Sequence, residues 1–237
     1  MTKATPSTYL EWMTKGHEYF LSCLTPVTDE ELEGPSRLPG WSGRHLLSHV
    51  GHNARALARL AHWAATGEPT PMYPSPSART EEIETGAAWP IHRLRAFVVE
   101  EQDRLARALD RIADDRWEAP VVTAQGRTVP ASTIPWLRSR EVWIHGCDLP
   151  SGGDFTAFPD SFTDALIDDA LDRRRTVQSM DIDVRATDRE TTRGDAVAGM
   201  RVEGPAADLA RWLTRGEESL RLRTGTGVPL PQLPSWL

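Results

Sequence analysis

Gly40-Trp41-Ser42-Gly43-Arg44-His45-Leu46-Leu47-Ser48-His49-Val50-Gly51-His52 opens a helix, with Ser42 placed to cap it. The pattern runs on to Trp63 or Thr66 and stops at Gly67. His45, His49 and His52 stand at i, i+4 and i+7. At 100° per residue they lie within about 60° of one another, so one helix face carries a stripe of imidazoles. Working outward, residues 7–24 repeat Leu10, Met13, Phe20, Leu21 and Leu24 at helical spacing. Residues 90–113 keep Leu94, Val98, Leu105, Ala108 and Ile112 on one stripe, broken only by Glu101. A fourth helix is predicted over 131–148, opening at Pro130-Ala131-Ser132. Four long helices in one segment predict an antiparallel four-helix bundle.

Between the second and third helices, Pro69, Pro71, Pro74 and Pro76 impose an extended loop, because proline removes the backbone donor that helix and inner strand need. Val121–Val129 reads as a short hairpin or a lasso around Gln125-Gly126. Leu149-Pro150-Ser151-Gly152-Gly153-Asp154 reads as a linker, and the texture changes beyond it. A helix fits 159–178, Asp181–Arg185 alternates as a strand, and Met200-Arg201-Val202 fits another. Ala206–Thr214 is helical, and Leu220–Arg223 alternates again. The expected architecture is therefore α plus α+β: an all-helical domain over 1–150 and a smaller α+β domain over 151–237.

The chain has 237 residues and a formal net charge of −7. An acidic balance argues against a phosphate-backbone binder, whose affinity needs clustered positive charge, so no nucleic-acid partner is expected. Arg173-Arg174-Arg175 is flanked by Asp168, Asp169 and Asp172 and reads as a solvated helix face. No stretch approaches the apolar length that spans a bilayer, and the first residues lack the apolar run of a signal peptide. A cytoplasmic protein with no membrane partner is expected. Cys23 and Cys147 are too few for a disulfide framework and read as buried thiols.

On the fourth helix Glu141 and His145 stand at i, i+4, with Arg138 one turn earlier on the same face. One histidine of the stripe plus this pair gives three N/O ligands and leaves a fourth position open, the pattern of a catalytic rather than a structural zinc site. Nickel, manganese or iron would also accept these donors. Spacing alone does not choose among His45, His49 and His52. Cys147 lies about 200° around the helix from His145 and points away from it, whereas Asp148 can orient that imidazole.

Gly40-Trp41-Ser42 followed by His45–His49 resembles the opening of the second helix in DinB-like metalloproteins. Thr123–Ala131, then Arg138-Ser139-Arg140-Glu141-Val142-Trp143-Ile144-His145 with Asp148, resembles the mycothiol-dependent maleylpyruvate isomerases of that superfamily. His62-Trp63, Gly67–Tyr73 and Pro234-Ser235-Trp236-Leu237 fit the same family, so the resemblance covers essentially the whole chain. It implies a DinB-like bundle, a sterol-carrier-like second domain, and His49, Glu141 and His145 as the ligands of zinc or another divalent metal. It also implies mycothiol as thiol cosubstrate and the cis–trans isomerisation of maleylpyruvate, a small dicarboxylate of gentisate degradation, to fumarylpyruvate. Arg215 best matches a family arginine after the last helix. Arg138 and Arg79 are further candidates for binding the carboxylates and the developing enolate. A mycothiol S-transferase and a non-enzymatic metal- or thiol-binding protein are the competing readings. Nothing in the sequence sets the oligomeric state, and a monomer is compatible with all three.

Overall fold

Helix boundaries follow local chemistry. The Thr5 hydroxyl accepts from the Thr8 amide, with Pro6 in the first turn, and starts α1 (Pro6–Leu24). Thr28 and Glu31 form a reciprocal capping box around the short α2 (Asp29–Glu33). Ser42 caps α3 (Gly43–Thr66), which ends at Gly67 in the left-handed conformation, φ +81°. Then come α4 (Ala78–Ala87), α5 (Ile91–Leu109) and α6 (Ile134–Asp148). Helices α2 and α4 were not expected from periodicity; five and ten residues are too short to show it. The computed structural model describes residues 5–189, 191–193, 200–225, 227–234 and 236. The chain divides into two compact units, Met1–Gly153 and Asp154–Leu237.

Helix directions in the first unit correct the antiparallel expectation. Along α1 and α6 the contacts climb together: Ser139 donates to the Tyr9 carbonyl, Gly16 faces Val142 and Trp143, and the Tyr19 hydroxyl meets the Cys147 thiol. These two helices run parallel. So do α3 and α5, where Gly51 meets Phe97 and Arg55 pairs with Glu101. Between α3 and α6 the order reverses, His49 meeting Glu141 while Asn53 meets Arg138. The reason is the crossover over residues 67–90, which returns the chain along the length of α3, about 36 Å, before α5 begins.

Packing is close where it matters. A Cβ on Gly51 would lie 2.3 Å from the Phe97 ring, so glycine is what lets α5 approach α3 two residues from His49. Leu46, Leu47, Val50, Leu94, Val98 and Val142 are buried around this seam. Glu101, which interrupts the apolar stripe of α5, is buried and pairs with Arg55 at 2.9 Å. Strands β1 (Pro120–Val122) and β2 (Thr128–Pro130) form an antiparallel hairpin whose turn carries Gly126 at φ +75°.

In the second unit α7 (Asp160–Gln178) and α8 (Ala206–Arg215) pack on a four-stranded sheet of order β4-β3-β5-β6. Its strands are β3 (Ile182–Ala186), β4 (Thr191–Arg193), β5 (Met200–Gly204) and β6 (Arg223–Thr224). β3 and β5 are parallel, and the outer pairings are antiparallel. The sequence gives no alternation at β4, and the 220–223 pattern resolves into a turn followed by a two-residue strand. Arg174 is a correction: it is buried rather than solvated, and it donates to the Leu213 and Pro234 carbonyls and to Gln178. The chain is thus helix-rich with a small sheet. Among the described residues, no helix is long and apolar enough to cross a membrane.

Candidate metal centre

The capping of α3 sorts the histidine stripe into three different roles. His45 is the third residue of the helix, and its Nδ1 lies 2.7 Å from the Ser42 hydroxyl and accepts the Ser42 amide at 3.3 Å. It completes the cap and is held at the helix start. His52 is buried against Trp89 and Phe97, with Nδ1 2.9 Å from the Ser48 carbonyl. Only His49, midway between them, turns toward α6. There its Nε2 lies 2.9 Å from Glu141 Oε2.

On α6, one turn separates Glu141 from His145, and the same carboxylate oxygen lies 3.3 Å from His145 Nε2. Asp148 sits 2.7 Å from His145 Nδ1, so it accepts the Nδ1–H hydrogen bond and leaves Nε2 facing the cluster. The Trp41 ring stands edge-on to His49, at 5.3 Å between centroids. The ligand atoms of His49, Glu141 and His145 all lie within 4.8 Å of one another. Two imidazole nitrogens and one carboxylate, converging on a common point and oriented from behind by a second carboxylate, form a donor set that fits a divalent cation.

Electrostatics at Glu141 and His49 agree with that geometry. Burial alone would raise the Glu141 carboxyl, but hydrogen bonds with His145 and His49 outweigh it and hold the group well below the ordinary carboxylate range. Burial lowers His49 to about 4, keeping it the neutral imidazole that a metal requires. For His145, burial is overcome by Asp148 and Glu141, and its pKa is raised.

A cavity of about 640 Å³ is lined by the proline-rich segment, Trp63, Met72, Tyr73, Arg79 and residues 122–124 of the hairpin. Arg79, in the first turn of α4, carries a charge that His49 senses. Tyr73 is raised to about 12, by burial first and with Glu141 adding to the shift. The proline loop is pinned from below, because Arg59 donates to the Met72 carbonyl and to Glu82 while the Met72 sulfur accepts the Ala124 amide at 3.2 Å. The sequence flagged this loop for its prolines but gave no sign that it walls a cavity.

The three expected arginines fall in different places. Arg79 reaches the cavity. Arg138 is fully buried, and its partners are Gln102, Asn53 and the Val50 carbonyl rather than an open carboxylate-binding position. Arg215 closes α8 in the second unit. Cys23 and Cys147 are buried, and Cys147 turns toward Tyr19.

Three comparisons bear on this site. The family model described as "Mycothiol maleylpyruvate isomerase N-terminal domain" matches residues 13–150. Among solved structures, the crystal structure of the mycothiol-dependent maleylpyruvate isomerase is 35% identical, with all of both chains covered and a TM-score of 0.91. The structure of a histidine-to-alanine mutant of a mycothiol-dependent maleylpyruvate isomerase is 34% identical, with the same coverage and TM-score. No curated protein matches significantly.

Proposed function

Because the chain belongs to the mycothiol maleylpyruvate isomerase family, we propose that it isomerises maleylpyruvate to fumarylpyruvate with mycothiol as the borrowed thiol. The observation that carries the reading is the convergence of His49, Glu141 and His145 at one point of the α3–α6 seam. In this reading the first unit is the DinB-like bundle that seats zinc or a related divalent metal. The second is the sterol-carrier-like domain.

A carbon–carbon double bond does not rotate at ordinary temperature. Conjugate addition of a thiolate forms a C–S bond and moves the π pair onto the adjacent carbonyl as an enolate. The former double bond can then turn as a single bond. Collapse of the enolate expels the thiolate and leaves the trans isomer, so the thiol is returned. The chain needs no cysteine of its own for this, in keeping with the burial of Cys23 and Cys147. A divalent metal, when bound, supplies the Lewis acidity that keeps an incoming thiol deprotonated near neutral pH. Glu141 and the two neutral imidazoles leave that metal net positive. Asp148 holds His145 in the tautomer that presents Nε2. Arg79 places a cation at the cavity for a substrate carboxylate or the enolate oxygen, and Tyr73 lines the same wall; Arg215, at the end of α8, is the residue that best matches the family's arginine. Gentisate catabolism and a cytoplasmic location follow from the same family reading.

The test is turnover of maleylpyruvate followed by absorbance, with and without mycothiol, before and after chelation. Activity is expected only with both thiol and metal, and mycothiol is recovered unchanged. Full activity after chelation overturns the reading, and net consumption of thiol favours a transferase instead.

A further inference from the structure

The Arg138 guanidinium is wholly buried, yet each of its hydrogen-bonding partners is neutral. Nη1 donates to the Val50 carbonyl at 2.8 Å and to Asn53 Oδ1 at 3.0 Å, both on α3. Nε donates to Gln102 Oε1 at 2.9 Å, on α5. Burial lowers its pKa to about 10, and the charge persists at neutral pH. A buried cation with no carboxylate in salt-bridge contact among the described residues, and only the nearby Glu141 charge to offset burial, is a costly element to keep, and an apolar side chain would fill the space more cheaply. Its position supplies a reason. Val50 is the residue after His49, and Arg138 stands three residues before Glu141.

We propose that Arg138 is a positioning residue that sets the separation and register of α3 and α6 at the point where they present His49 and Glu141 to a metal. The inference rests on the reading of that cluster as a metal seat. Ligand distances tolerate only about ±0.2 Å, so a small slip of α6 along α3 displaces Glu141 and His145 together relative to His49. Arginine suits the task because its rigid fork engages several acceptors at fixed angles, whereas the lysine ammonium is a point charge on a flexible stem. Gln102 extends the same fork to α5, so the ligand-bearing pair is braced by a third helix.

Zinc affinity of the purified chain, measured by competition with a chromophoric chelator well below the unfolding temperature, tests this without mycothiol or maleylpyruvate. Arg138→Met is expected to bind zinc about 10–100-fold more weakly than wild type, the usual range for a partner that orients ligands, and Arg138→Lys in between. Asn53→Ala removes a single acceptor and should shift affinity the same way by less, which keeps the test open if Arg138→Met does not fold. Arg55→Met is the control: it breaks the ion pair with the buried Glu101 on the same α3–α5 seam but away from the ligands. It should unfold more easily and still bind zinc within threefold of wild type. The clamp is overturned if zinc affinity in the folded Arg138 and Asn53 variants stays within threefold of wild type. It is overturned equally if Arg55→Met weakens zinc as much as they do. A wild-type chain that binds no zinc removes the metal reading itself, and the clamp with it.

Discussion

Arg138 in the first unit and Arg174 in the second are both buried arginines that spend their donors on neutral acceptors, but what they tie together differs. Arg174, on α7, holds the Leu213 carbonyl at the end of α8 and the Pro234 carbonyl of the C-terminal segment. It fastens elements to one another where, among the described residues, no cluster of potential ligands lies beside it. Arg138 performs the same fastening next to His49 and one turn from Glu141. The same device therefore serves stability alone in one place and the geometry of a reactive site in the other. Which it serves is decided by what flanks the acceptors, not by the arginine.

Several measurements would break or sharpen that contrast. The largest effect is expected for His49→Ala, which removes one of the three proposed ligands outright. Since loss of an orienting partner already costs 10–100-fold, turnover should fall below about 1% of wild type. Zinc content should vanish, and circular dichroism should remain that of a folded helical protein. Zinc retained at full stoichiometry would show that His49 is not a ligand. Next comes Arg174→Met, which orphans the buried Leu213 carbonyl and releases the more exposed Pro234 carbonyl, and should lower stability by about 1–3 kcal/mol in chemical denaturation. Zinc affinity of the folded protein should not change, and a loss matching that of Arg138→Met would erase the distinction.

The smallest effect concerns His17 on α1, whose pKa is lowered to about 4, first by burial and then by the Arg138 charge. A histidine depressed in the folded state is protonated more readily when unfolded. Stability is therefore complete above the unfolded value near 6.5 and declines as pH falls toward 4. His17→Gln should flatten this decline, by about 1 kcal/mol at pH 5 after allowance for partial solvent contact. An unchanged acid limb in denaturation would disprove it.

The long helices were legible because each carries an apolar stripe wide enough to show its period, and α3 also announces its start at Ser42 and its stop at Gly67. Their directions were not. Whether α5 runs with or against α3 depends on the path of residues 67–90, and prolines reveal that such a segment is extended without saying where it goes. The histidine stripe shows the same boundary. Its spacing placed three imidazoles on one face, but a helix cap claimed His45 and an aromatic pocket claimed His52. A capping role depends on one turn of backbone, while burial against Trp89 and Phe97 depends on residues some 40 positions away. Arg138 was picked out for sharing a face with Glu141, yet its partners Asn53 and Gln102 lie on other helices and no pattern along the sequence marks them. Arg174 escaped for a related reason, because a run of three arginines beside aspartates looks solvated until α8 and the C-terminal segment close over its middle member.

The parallel course of α3 and α5 also keeps the cavity wall and the ligand cluster on separate stretches of sequence. A chain that must return along the full length of α3 needs a long connection, and here that connection carries the prolines, Tyr73 and Arg79 that wall the cavity. The histidine of the α3–α6 cluster lies before this crossover, and the glutamate and second histidine lie after it. Substitutions in the crossover would therefore alter the cavity wall without altering the spacing of His49, Glu141 and His145.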